Sequence, residues 1–432
     1  MLGFQGQRAC ARTVFDHTMD STRIPERPPT DVDNPSLQGL ARLMTLAFEG
    51  CDLTPLATTL IARASGDEGD ADALMDLSTI LQLQGIQDIG IATQAQSLRI
   101  RRLFELPARH APALRLLAIM APGDLMINAP LSFLIEDSDV SLRMLYLLPG
   151  EPIPARLPAH DVVFIAVSES NATRALLDQL AGGIAAWNTA VVNLPDRIVR
   201  TSRAQACDVL DGAPGIAMPA TARAARDDLQ RLASGGLALG ELLRDGQLPL
   251  IIRPVDSHAG HGLEKIDTLD DLSRYLQASA GNEFYVSRFV DYRGADGLFR
   301  KFRVVLIDGM PYAGHMGVSA NWMIHYLNAG MTESAGKRAE EQAFMDGFDT
   351  GFARRHATAL ETIAKRFGLD YLVIDCAETA DGELLVFEAD PGAVVHSMDP
   401  VDMFPYKLPH MRKVFSAFRA MLARKLASRA HS

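Results

Sequence analysis

Cysteine is scarce in this sequence: Cys10, Cys51, Cys207 and Cys376 stand among 432 residues, with no CxxC pair. That scatter excludes a disulfide scaffold and offers no zinc-ligand spacing. Long apolar runs are missing too, none approaching the ~18–20 residues that cross a bilayer. The opening MLGFQGQRACARTVFDH lacks an apolar stretch long enough for a secretory signal. A reducing, cytoplasmic setting without membrane partners is expected. Positive charge is the minority, 42 Lys and Arg against 53 Asp and Glu, a net −11. That balance argues against broad electrostatic binding to nucleic acid or an anionic surface. Two nucleotide signatures are also absent: no GxGxxG follows the first strand of the β/α region, and there is no GK[ST].

What is present is a globular composition, 48% hydrophobic and 22% charged, long enough for several domains. Residues 1–35 end in STRIPERPPTDVDNP and predict a flexible leader. Residues 36–110 carry four stretches with apolar residues three and four apart, punctuated by Gly50, Gly66, Gly69 and Gly85. The last two stretches resemble a helix–turn–helix of tetratricopeptide size, with Ala92 and Ala95 expected where the helices approach. This module reads as a packing or dimerisation unit, or as a peptide-binding repeat. A homodimer or protein partner is expected there. From residue 111 to 200, LRLLAIMA, VSLRMLYLL, DVVFIAVS and AVVNLP alternate with helical segments and predict a small, mostly parallel sheet. Residues 201–432 mix helices with long antiparallel hairpins. The fold class is α/β (α+β).

The richest segment is LDYLVIDCAETADGELLVFEADPG. Its Asp381-Gly382 predicts a two-residue hairpin turn, which sets Asp375 directly opposite Glu388. Asp390, two residues on, emerges on the same face as Glu388. Opposed carboxylates repel, so three of them on one face call for a cation, and all-oxygen ligands favour Mg²⁺ or Mn²⁺. The alternative is a solvent-exposed acidic hairpin, which the apolar run Leu384–Phe387 argues against.

Upstream, PLIIRPVDSHAGHGLEKI runs a strand into Arg253 and then a loop with Gly260 and Gly262, where a backbone can approach phosphate closely. His258 and His261 lack further partners for a metal and read as loop hydrogen bonders. EFYVSRFV is a buried strand, and RKFRVVLI-DG-MPYAGHM is a second Asp-Gly hairpin. Alternation puts Lys301 and Arg303 on one face, where an anionic ligand or solvent would neutralise them.

Glycine loop, hinge strand, basic hairpin and acid-bearing hairpin, in that order, resemble the ATP-grasp superfamily over roughly residues 111–425. The likeness is to the glutathione-synthetase and ribosomal-protein glutamate ligase branch. It implies an ATP-grasp fold behind a small β/α domain, with the helical module outside the family core. The likeness also assigns roles. Arg203 and Arg253 stand where the family usually has two phosphate-binding lysines, with His258, Gly260 and Gly262 on the flexible loop. Ser287, Arg288, Phe289 and Val290 would form the adenine hinge, and Asp291 would meet the ribose. Asp375, Glu388 and Asp390 would hold Mg²⁺, Asp390 standing where the family has asparagine.

The activity so implied is ATP-dependent carboxylate–amine ligation through an acyl phosphate. Arg303 would stabilise the transferring group and Lys301 would steer the acid. His315, Asn321, His325, Asn328 and His396 lie where the family's acceptor pocket would be, facing small-molecule or peptide carboxylate and amine substrates. A nucleotide-binding pseudoenzyme, favoured by the two lysine-to-arginine changes, and an ATP-grasp phosphotransferase are the rival readings.

Overall fold

The computed structural model describes residues 37–255, 257 and 260–429; the expected leader 1–35 and His258 lie outside them. Four helices open the described chain: α1 (Leu40–Phe48), α2 (Thr54–Gly66), α3 (Ala71–Leu83) and α4 (Gln87–Ile100). Asp70 caps α3 by accepting from the Ala73 amide at 2.9 Å. The close approach of α3 and α4 is made at Gly90, not at the expected alanines. A Cβ there would stand 2.6 Å from Gln82 Cγ and 3.0 Å from the Ser78 carbonyl oxygen. Ala92 and Ala95 are exposed. The packed face runs through Gly90, Thr93 and Ser97, whose hydroxyl donates to the Ala71 carbonyl at 2.7 Å.

The first sheet contains β1 (Leu103–Leu106), β2 (Leu114–Met120), β3 (Val140–Tyr146), β4 (Val162–Ile165) and β5 (Val191–Val192), in the order β1-β3-β2-β4-β5. Strands β2 to β5 pair in parallel, and β1 lies antiparallel on β3. The near-continuous apolar character of LRLLAIM and VVFI is what a strand covered on both faces needs. The boundary expected at residue 110 is therefore misplaced. Leu103–Leu106 belongs to this sheet, and Phe104, 1% exposed, is buried with Leu98 of α4 and Tyr146 of β3.

Two further sheets follow. One holds β7 (Thr221–Ala225), β8 (Leu250–Pro254), β9 (Glu264–Ile266) and β10 (Glu283–Arg288), ordered β7-β10-β8-β9 and antiparallel throughout. The other holds β6 (Ile216–Ala217), β11 (Phe299–Ile307), β12 (Met310–Ser319), β13 (Tyr371–Glu378) and β14 (Leu384–Asp390), ordered β12-β11-β13-β14-β6. The C-terminal helix Lys407–Arg429 joins first and third sheets: Phe418 lies 5.9 Å from the Phe164 ring of β4 and 5.5 Å from the Tyr371 ring of β13. Among the described residues no helix is long and apolar enough to cross a membrane.

The helical module is packed into the rest of the chain rather than appended to it. Phe133 of the β/α region is fully buried among Leu43, Leu60 and Leu77, and Val394 and Met398 pack against the same cluster.

Candidate functional site

Two hairpins build the floor of a cleft. In the first, Ile307 pairs with Met310 around Asp308-Gly309, whose φ angles of 48° and 76° make the mirror-image turn that an Asp-Gly dipeptide favours. The pairing then slips by one residue, leaving Gly314 as a bulge and setting His315 opposite Arg303. A Cβ at Gly314 would stand 2.9 Å from Arg303 Cγ.

The second hairpin corrects the expected two-residue turn. Its loop spans 379–383, closed by the Thr379 amide donating to the Glu383 carbonyl at 3.0 Å. Glu378 pairs with Leu384, one residue out of the expected register, and a bulge at Phe387 restores it. Asp375 therefore does face Glu388, by two compensating irregularities. Asp390 pairs with Val373.

The basic hairpin neutralises the acidic one. Arg303 Nε donates to Asp375 Oδ1 at 2.8 Å and its Nη2 to Oδ2 at 3.0 Å, while Lys301 Nζ lies 2.7 Å from Oδ2. Burial alone would raise the Asp375 carboxyl, but the Arg303 and Lys301 charges hold it well below the carboxylate range. Arg203, one residue past its helix cap Ser202, reaches Glu388 at 3.0 Å. Burial would raise Glu388 as well; Arg203 and then Arg253 hold it down. Asp390 feels only a weaker opposing charge, that of Arg303. Burial and the neighbouring Glu388 charge push it up to about 7, against one backbone hydrogen bond from Gly392 at 2.7 Å.

These observations test the expected magnesium site. Glu388 and Asp390 fit a divalent cation, because two repelling carboxylates, one of them driven toward protonation, gain most from a dication. Asp375 does not fit in this arrangement, since both its oxygens are taken by Arg303 and Lys301. Among the described residues, no group of three or more His, Cys, Asp or Glu side chains is arranged to hold a metal.

Above the floor, Arg253 is the last residue but one of β8 and is 8% exposed. Burial and the facing Arg203 charge pull its guanidinium down to about 10, and its Nε donates to Ser257 Oγ at 3.0 Å. The two arginines thus converge on the Glu388 corner of the cleft. Gly260 lines the cleft with φ 72°. Gly262 instead packs: a Cβ there would stand 2.8 Å from Pro254 Cδ, and its carbonyl accepts from Tyr275 Oη at 2.8 Å.

Ser287, Arg288, Phe289 and Val290 all line the cleft. The Phe289 amide donates to the Pro249 carbonyl at 2.9 Å, and its ring meets Trp322 edge-on at 5.7 Å. Asp291 does not line it. Its carboxylate pairs with Arg293 at 2.9 Å and accepts from the Arg293 amide at 3.1 Å, which turns it outward.

At the far end, His315, His325, Asn328 and His396 line the cleft, but Asn321 is exposed outside it, in a turn where its amide donates to Ser319 Oγ at 3.1 Å. Burial keeps His396 neutral, pulled down to about 4, and holds His315 well below its ordinary value.

The cleft, a cavity of about 410 Å³, is of small-molecule size. Sequence reasoning missed part of its wall: Met44 and Phe48 of α1, and Met126. Apolar residues at helical spacing read as core, and nothing local marks them as cleft. It also missed a buried network behind the cleft. Glu341, fully buried, accepts from Tyr326 Oη at 2.9 Å, from Tyr406 Oη at 2.7 Å and from the Met316 amide at 3.0 Å. Lys407, 4% exposed, lies 3.3 Å from Glu341 and 3.0 Å from Asp399. These partners are far apart in sequence.

No protein-family model matches the sequence, and no curated protein matches it. Several solved structures are similar at low identity. The D-Ala:D-Ser ligase VanG of Enterococcus faecalis is 13% identical with a TM-score of 0.44, over 72% of this chain and 99% of that one. A RimK domain ATP-grasp protein of Sphaerobacter thermophilus is 16% identical with a TM-score of 0.38, over 72% and 99%. The D-alanine–D-alanine ligase of Bacillus anthracis complexed with ATP is 13% identical with a TM-score of 0.42, over 73% and 99%.

Proposed function

We propose that this chain is an ATP-dependent carboxylate–amine ligase of the ATP-grasp type, working through an acyl phosphate. One observation carries the reading: a single cleft between two sheets gathers Arg203, Arg253, Lys301 and Arg303 against Asp375, Glu388 and Asp390. The sequence motifs order these residues as that family does.

In this reading Arg253 and Arg203 hold the phosphates, each offering a planar fork of donors where the family has a lysine point charge. Residues Ser287 to Val290 take the base against the Phe289–Trp322 corner. Glu388 and Asp390 would hold Mg²⁺, which supplies charge neutralisation for phosphoryl transfer when bound. Arg303 and Lys301 exchange part of their pairing with Asp375 for the substrate carboxylate and the incoming phosphoryl oxygens. Attack of the carboxylate on the γ-phosphate forms a C–O–P linkage and releases ADP. Attack of the amine then expels phosphate and leaves an amide. The protein's share is positioning and charge stabilisation.

The test is a screen of carboxylate and amine pairs for ADP formation with an amine-dependent amide product. ADP formed with a phosphorylated, amine-independent product would make the chain a phosphotransferase. One observation favours a second reading: both Asp375 oxygens are held by cations, so this carboxylate is neutralised without a metal. A pseudoenzyme of that kind would bind ATP equally well with and without Mg²⁺ and turn nothing over.

A further inference from the structure

Beyond Arg303 the character of the cleft changes. Arg303 Nη1 donates to the Val394 carbonyl at 2.8 Å, so the cation that would meet the reacting group, beside Lys301, is bonded directly to the segment forming the next stretch of wall. That segment continues through His396 to Met398, and α1 meets it from the other side. The Phe48 and His396 rings lie 6.0 Å apart, with Phe133 6.2 Å from His396 behind them. Met44 and Phe48 line the same cavity as Glu388 and Arg303, and Met126 adds a third methionine-bearing or aromatic position from the loop after β2. Three separate parts of the chain thus place thioethers and an aromatic ring around one end of a site whose other end is highly charged.

Among the described residues, Met44, Phe48, Met126, Val394 and Met398 give this end of the wall no charged side chain of their own; an acid beside it, Glu136, accepts from Ser397 Oγ at 3.2 Å. The Lys407, Asp399 and Glu341 charges behind it are already paired with one another. An apolar group would lose water against Met and Phe, and unbranched methionine adapts to irregular shapes.

Resting on the ligase reading, we infer that the acid substrate is a carboxylate carrying a large apolar or aromatic side chain, selected by Phe48 and Met44 of the helical module. The module is then a specificity wall of the active site. An amino acid and the C-terminal residue of a peptide share this chemistry.

The experiment is calorimetry on the full chain in the presence of ADP and Mg²⁺. The probes are N-acetyl-L-phenylalanine, N-acetyl-L-aspartate and the dipeptide glycyl-L-phenylalanine, with ATP titrated separately. The aromatic probes should bind about tenfold or more tighter than the aspartate, the scale of burying one large side chain. Glycyl-phenylalanine binding more tightly than the acetylated amino acid points to a peptide source, and the reverse to an amino acid. Phe48→Ala should weaken the aromatic probes about fivefold or more, and Phe48→Leu should recover part of the loss, with thermal melting confirming that each variant is folded. ATP binding with equal or tighter binding of the aspartate would overturn this inference and leave the ligase reading intact. Loss of ATP binding in the wild-type chain would overturn the ligase reading itself.

Discussion

Arg303 and Asp375 stand directly opposite one another on β11 and β13, joined by two hydrogen bonds of 2.8 and 3.0 Å, with Asp375 6% exposed. The pair unites two hairpins that the sequence presents as separate basic and acidic elements. Removing one member of a buried pair leaves an uncompensated charge. Asp375→Ala should therefore destabilise the fold by about 3–5 kcal/mol, because it strands Arg303 and releases Lys301 together. Urea unfolding followed by circular dichroism measures this; a variant as stable as wild type would mean that the cations find other partners.

Glu388 carries the metal proposal. Glu388→Gln keeps the shape and removes one charge, which frees Arg203 and relieves Asp390 of its neighbour's repulsion. The Mg²⁺ concentration for half-maximal ADP formation should rise about tenfold or more, the scale of disturbing a metal shell. A Mg²⁺ titration of turnover that overlays the wild-type curve would remove Glu388 from the metal site.

Arg253 carries the phosphate proposal. Arg253→Ala should weaken ATP binding by about 1.5–3 kcal/mol, the scale of a charged hydrogen bond. Arg253→Lys should restore part of that, since the charge returns without the fork of donors. Calorimetry with ATP and Mg²⁺ reads both. Unchanged affinity in Arg253→Ala would place the phosphates elsewhere.

The helical module should not be dispensable. A chain beginning at Ala111 loses β1 and uncovers Phe133, Val394 and Met398. It should be insoluble or melt well below the full chain in differential scanning calorimetry. Cooperative melting near the full-length temperature would show instead that the module is separable.

Asp76 gives a pH signature. It is 1% exposed in α3, and its carboxylate accepts from the Gln38 and Gly39 amides at 2.7 and 3.0 Å, holding the start of α1. Burial outweighs those bonds and pushes it from 3.8 up to about 7. The folded chain therefore holds a proton that the unfolded chain has already released. The stability tied to Asp76 is full below pH 3.8 and is lost as pH rises through about 7. Asp76→Asn should remove that share of the pH dependence, so the variant gains on wild type between acidic pH and pH 8. Parallel urea midpoints for both proteins across that range would expose a wrong sign.

Periodicity along the chain determined a good deal by itself. The helical spacing before Gly85, the apolar runs of β2 to β4, and the Asp308-Gly309 turn are legible because each depends on residues within a few positions of one another. The opposition of Asp375 to Glu388 was legible for a looser reason: the five-residue loop and the bulge at Phe387 cancel. What tertiary structure alone decided is how charge is balanced and which apolar faces meet. Arg203 reaches Glu388 across 185 positions and Arg303 reaches Asp375 across 72. A buried carboxylate takes whichever cation packing brings near, and no local spacing encodes that choice. Asp291 fell outside the cleft because its carboxylate is satisfied locally by Arg293, and Asn321 sits in an exposed turn closed by its backbone amide on Ser319 Oγ. Met44 and Phe48 came into it because a helix with an apolar stripe buries against whatever surface is offered, and here that surface is the rim of the site.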